Sequence, residues 1–163
     1  MKDHSDLILS YTSRTIELLQ KHEDSIRTDT MLHINAEADL KEHLRLIDIA
    51  MQLIMMVFQE HRPVNDSEVV IVQIGARLFD SAAIAIRTLM SGYYFGCAHF
   101  SRDIVEMGFL CDFFTLYPEK IEDWRKSDSE KRKREYSPFK IRDALDNRDG
   151  FTEKSGRKST KFC

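Results

Sequence analysis

The stretch from Gly92 to Trp124 constrains this chain more than any other. Read at 100° per residue, Cys97, Phe100, Ile104, Met107, Cys111 and Phe114 line up in heptad spacing as one apolar stripe. Phe95, Ala98, Val105, Phe109, Phe113 and Leu116 form a second stripe on the opposite side. A helix over residues 93–117 that is apolar on two sides needs neighbours on both. Arg102 falls inside the second stripe, and Glu106 follows one turn later, at the i,i+4 spacing that lets two side chains meet. The expectation is a guanidinium shut away from water beside a carboxylate, on a central helix of an all-α bundle.

The rest of the chain supports the same fold class. Pro63, Gly92, Pro118, Pro138 and Gly150 punctuate segments of helical length. A helix over 5–26, with Ser5 as its N-cap, places Leu7, Tyr11, Thr15, Leu18 and His22 on one face. A second over 36–60 repeats a heptad seam in Leu40, Leu44, Ile47, Met51, Ile54 and Phe58. A further stripe of Leu46, Ala50, Leu53 and Val57 predicts that this helix is central. A third over 67–91, capped by Ser67, carries Ile71, Ile74, Leu78, Ala82, Ala85 and Leu89 on one face, with Arg77 and Asp80 as a weak surface pair on the other. A fifth over 118–135 buries Ile121 and Trp124, and a short sixth over 138–145 uses Phe139, Ile141 and Leu145. The bundle is assigned to residues 1–149, and the polar segment 150–163 lies outside it as a disordered or truncated end.

With 163 residues, 42% hydrophobic and 31% charged, the chain has the material for one self-sufficient core. Its most apolar run, residues 44–58, is broken by Arg45, Asp48 and Gln52 and is shorter than the roughly 20 residues a membrane span requires. No secretory leader pattern opens the chain. Cys97 and Cys111 lie about 21 Å apart along one helix at 1.5 Å per residue, too far for a disulfide. These features predict a cytoplasmic protein with no membrane association. Residues 125–163 hold 13 Lys/Arg against 7 Asp/Glu, within a chain of net charge −3. The basic excess, including Lys131-Arg132-Lys133-Arg134, has a nucleic-acid reading, but its interleaved acids favour a solvated helix face.

Arg102 and Glu106 are the candidate catalytic residues, and Arg87, Arg102, Asp103 and Glu106 the candidate ligand-binding set. A buried guanidinium is costly unless a carboxylate and further acceptors satisfy it, so such a pair needs a reason to be there. One reason is an anion-binding or catalytic cleft. The favoured one is an ion pair that fixes helix register or orders a subunit interface. His99, Asp103 and Glu106 share an edge of the same helix, and Asp39 and His43 share another, but the spacing does not select a metal. The Glu-x-x-His pairs of di-iron bundles are absent from the sequence. No metal or other cofactor is expected. No Gly-x-Ser-x-Gly elbow or phosphate loop is present either. Arg27 and His33 have an Arg-x5-His spacing like that of helical RNases, but near an expected helix end.

The run Gly92-Tyr-Tyr-Phe-Gly-Cys-Ala98-His-Phe-Ser-Arg102-Asp-Ile-Val-Glu106, followed by Tyr117-Pro118-Glu119 and Trp124, resembles a pattern in bacterial all-helical proteins of no assigned activity. Some of these are loosely HEPN-like. The resemblance covers about a fifth of the chain. It implies that Arg102 and Glu106 are a signature pair and Trp124 an anchor, and it is silent on activity. This chain has no histidine shortly after Arg102, which counts against an RNase.

Two opposed apolar stripes exceed what a small bundle covers, so part of that surface is expected to form a homodimer interface. The leading functional expectation is a non-enzymatic interaction or oligomerising module. The alternatives are a HEPN-like nuclease or anion-binding enzyme using Arg102 and Glu106, and nucleic-acid binding through the basic C-terminal region.

Overall fold

A computed structural model describes the backbone of residues 4–151 and the side chains of residues 14–151. Seven α-helices and no strand occur among the described residues: α1 (His4–Ala36), α2 (Ala38–Glu60), α3 (Asp66–Met90), α4 (Tyr94–Leu116), α5 (Lys120–Lys126), α6 (Ser129–Glu135) and α7 (Pro138–Arg148). The protein is all-α, as its periodicity dictates. The side chains of Ser5, Leu7 and Tyr11, together with Cys163 and the rest of the polar segment beyond Phe151, lie outside the described residues.

Local chemistry explains the boundaries. Asn65 is the N-cap of α3: its Oδ1 accepts from the Glu68 N–H at 2.9 Å, while Glu68 accepts from the Val64 N–H at 2.9 Å and from Asn65 Nδ2 at 2.8 Å. This reciprocal box satisfies donors that a helix start leaves open, and it replaces the expected Ser67 cap. The α3–α4 turn is made by Gly92 at φ +83°, a left-handed conformation that glycine adopts without penalty. The single helix expected over 118–135 is divided, because Ser127 is extended and the Asp128 side chain accepts from the Lys131 N–H at 2.7 Å to start α6. Conversely, α1 continues ten residues beyond its expected end, through Arg27 and His33, since neither glycine nor proline interrupts residues 27–36.

The chain forms two compact units, and α3 and α4 each contribute a segment to both. The first comprises residues 1–59 and 79–101. Here α1 turns Ile26 toward the α3–α4 turn, with its Cδ1 only 3.2 Å from where a Cβ at Gly92 would sit. Arg27 donates to the Ser91 hydroxyl at 3.2 Å, and Tyr93 donates its phenol to Glu23 at 2.6 Å. The face of α1 that docks is therefore Glu23, Ile26, Arg27, Thr30 and Ile34, all half-buried, whereas Thr15, Leu18 and His22 of the expected stripe are exposed.

The second unit comprises residues 60–78 and 102–163, and it contains the main hydrophobic core. Val70 and Ile74 of α3, Leu110 and Phe114 of α4, Ile121 of α5, Tyr136, and Ile141 and Leu145 of α7 are all buried together. Phe114 is only 2% exposed and meets Trp124 edge-on at 5.9 Å between ring centroids. Phe139 is exposed, so α7 turns only Ile141 and Leu145 inward.

Two packing expectations are corrected. Helix α2 has no buried residue: Leu44, Met51, Ile54 and Phe58 are half-buried, and Leu46, Leu53 and Val57 are exposed. It is peripheral, not central. Helix α4 is covered on both sides only over its last turns, where Phe109 and Phe113 pack against the core formed with α5 and α7. Earlier in its second stripe, Phe95 is 96% exposed and Val105 is also exposed.

Candidate functional site

The Arg102–Glu106 pair exists, but not in the expected setting. Arg102 Nε donates to Glu106 Oε1 at 2.8 Å, yet the Arg102 side chain is 79% exposed. The half of the stripe in which it sits has no covering helix, so the guanidinium reaches water and bears no burial penalty. An exposed i,i+4 pair of this kind contributes a few tenths of a kcal/mol, roughly, to the helix that carries it. With its guanidinium in water, the pair carries no desolvation cost that a function would have to offset.

Asp103 is turned to a different partner. The Arg77 guanidinium donates to both of its carboxylate oxygens, one bond measuring 3.1 Å, and so links α3 to α4. The Asp103 side chain is only 18% exposed. Arg77 therefore pairs with Asp103 rather than with Asp80. Arg87 is exposed and belongs to the first unit, whereas Arg102, Asp103 and Glu106 belong to the second.

The alternative constellations are also dispersed. His99 meets the edge of the Phe100 ring, Asp103 is held by Arg77 and Glu106 by Arg102. Among the described residues no group of three or more His, Cys, Asp or Glu is placed to hold a metal ion. Arg27 and His33 share α1, but six residues turn the helix through 600°, which leaves their directions about 120° apart. Arg27 faces the Ser91 turn and His33 is exposed.

The basic run on α6 is largely engaged within the fold. Lys131 Nζ donates to Asp123 at 2.6 Å. Arg132 donates to the backbone carbonyls of Trp124 and Arg125 at 3.0 and 3.1 Å, and its guanidinium lies 4.3 Å from the Trp124 ring centroid. Arg134 pairs with Glu135. The cations thus close the end of α5 and brace Trp124, as positive groups at a helix C-terminus do.

The prominent surface feature is apolar and lies in the first unit. Among the described residues, seventeen of the 24 exposed large hydrophobic side chains belong to it, including Leu46, Ile49, Leu53, Met56 and Val57 of α2. Adjoining this surface at Met56, an open groove of about 400 Å³ is lined by Met51, Met55, Met56, Asp48, Gln52, Gln59 and Phe79. Methionine makes such a surface adaptable. The second stripe of α2 was legible in the sequence; that it faces outward was not, because periodicity reports a face and not what covers it.

One helix among the described residues, Asp66–Met90, is long and apolar enough to cross a membrane by length and composition. Its Val70 and Ile74 lie in the core of the second unit, and a packed core helix has the same composition. No family model, curated protein or solved structure matches the chain.

Proposed function

We propose that this protein is a non-enzymatic helical interaction module that associates with a second polypeptide chain through the apolar surface of its first unit. The observation that supports this reading is α2: a 23-residue helix with no buried residue and a continuous outward stripe of Leu, Ile, Met and Val. Soluble monomers rarely leave contiguous apolar patches of this kind in water, and such patches mark interaction surfaces. The polar groups support the same reading. The ion pairs at Arg77–Asp103, Arg148–Asp112 and Lys131–Asp123 brace helices against one another rather than converging on a shared space.

A self-associating module is the simplest case, because homo-oligomers with two-fold symmetry are the commonest assemblies. Multi-angle light scattering of the purified chain across the micromolar range tests it. A mass that rises from one chain toward two with concentration supports the reading. A single-chain mass throughout contradicts it. The free thiols Cys97 and Cys111 suit a reducing compartment, which accords with a cytoplasmic site of action.

A further inference from the structure

The geometry points to an antiparallel crossing of two copies of α2 as the contact that closes this surface, a proposal that rests on the self-association reading above and names its register. The outward stripe runs Leu46, Ala50, Leu53, Val57, at spacings of four, three and four, which is a coiled-coil seam about 17 Å long at 1.5 Å per residue. All four positions are exposed, and they lie roughly 140° around α2 from Met51 and Met55, which are half-buried. The seam is thus separate from the face that α2 turns inward.

The order of side chain sizes along the seam selects the direction. Laid antiparallel about a two-fold axis between residues 51 and 52, Leu46 meets Val57 of the second copy and Ala50 meets its Leu53. Each small side chain then faces a large one, the alternation that lets two helices interlock at close range. Laid parallel in register, Ala50 would face Ala50 and Leu53 would face Leu53, leaving a gap beside a bulge.

Charge selects the same direction. Asp39, Glu42 and His43 lie on this stripe before Leu46, and Glu60, the last residue of α2, lies on it beyond Val57. Glu42 is already held by Arg45 of its own helix, with bonds of 2.7 and 2.6 Å, but a parallel pair stacks Asp39 and Glu60 each against its own copy, which destabilises the contact. The antiparallel register instead sets His43, whose ring N–H can donate to a carboxylate, opposite Glu60 of the second copy at both ends. Ala50, at the middle of the seam, leaves the two backbones free to approach.

Two sets of variants test the proposal, both read by sedimentation velocity and circular dichroism. Leu53→Glu places a carboxylate in the middle of the seam and is expected to weaken association at least tenfold while leaving helicity unchanged, because Leu53 is 54% exposed within one chain. His43→Glu is expected to weaken it and the exchange His43→Glu with Glu60→Lys to restore it. In a Cys97→Ser, Cys111→Ser, Cys163→Ser background, Ala50→Cys chains mixed with Leu53→Cys chains are expected to form the mixed disulfide in preference to either like pair. Like-with-like disulfides would overturn the antiparallel register. A dimer that survives Leu53→Glu would overturn the use of α2 while leaving self-association intact. A wild-type chain that stays monomeric would overturn both.

Discussion

Arg77 on α3 and Asp103 on α4 form a two-pronged ion pair, while Arg102, one residue earlier on α4, extends into solvent with only Glu106 of its own helix for company. Two adjacent charged residues on one helix thus have different consequences. Asp103 is mostly covered, so removing Arg77 leaves a carboxylate without the charged donor that compensates its lost hydration. Replacing Arg77 by Met is expected to lower the unfolding free energy by about 1 kcal/mol. Replacing Arg102 by Met is expected to change it by less than about 0.5 kcal/mol. Urea denaturation of the two variants checks the contrast, and equal losses would show that the pair on α4 carries more than its exposure suggests.

Phe114 and Phe95 form a second contrast on the same helix. Phe114 sits within the core of the second unit against Trp124, and truncation to Ala is expected to cost about 3–5 kcal/mol through lost burial and the cavity left behind. Phe95 is almost wholly in water, and the same truncation is expected to stay within about 0.5 kcal/mol in a single chain. Thermal melts at low concentration, where association is weak, separate the two effects.

Gly92 carries two separate constraints, and Gly150 only one. Both have a left-handed backbone, at φ +83° and +77°. At Gly92 a Cβ would also press on Ile26 Cδ1 at 3.2 Å, whereas nothing lies within 4 Å of a Cβ at Gly150. Gly150→Ala is therefore expected to cost about 1 kcal/mol from backbone strain alone. Gly92→Ala is expected to cost more, and shortening the neighbour with Ile26→Val should recover part of the difference. Failure of that double variant to recover stability would show that Ile26 yields without cost.

The corner between α5 and α6 sets a pH dependence with two opposite limbs. Hydrogen bonds from Lys131 and then from Tyr136 hold the Asp123 carboxyl below its ordinary value of 3.8. The stability it contributes is present above that value and is lost as pH falls through the depressed one. The Tyr136 phenol is pushed up from its ordinary 10.0, first by burial and then by its bond to Asp123. Its contribution is present below 10.0 and is lost as pH rises past it. The stability gap between wild type and Asp123→Asn is expected to be widest near neutrality and to shrink in acid, while Tyr136→Phe flattens the alkaline limb. Melting curves from acid to alkaline pH check both signs.

Much of the fold was legible in the sequence because helical periodicity is a local property. The Ile74, Leu78, Ala82 and Ala85 positions of α3, the Cys97-to-Phe114 row of α4, the Pro138 start of α7 and the glycine at the α3–α4 turn could each be read from a few consecutive residues, whereas Ile71 and Leu89 of the expected α3 row are exposed and Val70 is buried in their place. What could not be read is which stripe a neighbour covers. The second stripes of α2 and of the first half of α4 have the same spacing as the covered end of α4, yet they face outward; the short helices α5 and α7 pack near Phe109 to Phe114. Arg102 followed from the same limit: its place in an apolar row predicted burial, and the missing neighbour left it exposed. The Arg77–Asp103 pair joins residues 26 apart, and the Arg27–Ser91 contact residues 64 apart, so no i,i+4 argument could reach either.

Hydrogen exchange of α2 measured over a hundredfold range of protein concentration tests most directly whether its outward stripe is covered by protein in solution. Amides of residues 46–57 are expected to exchange slowly in concentrated samples and faster on dilution, in step with the loss of the two-chain mass, while those around Phe114 do not change. Exchange in residues 46–57 that is fast and independent of concentration would contradict it.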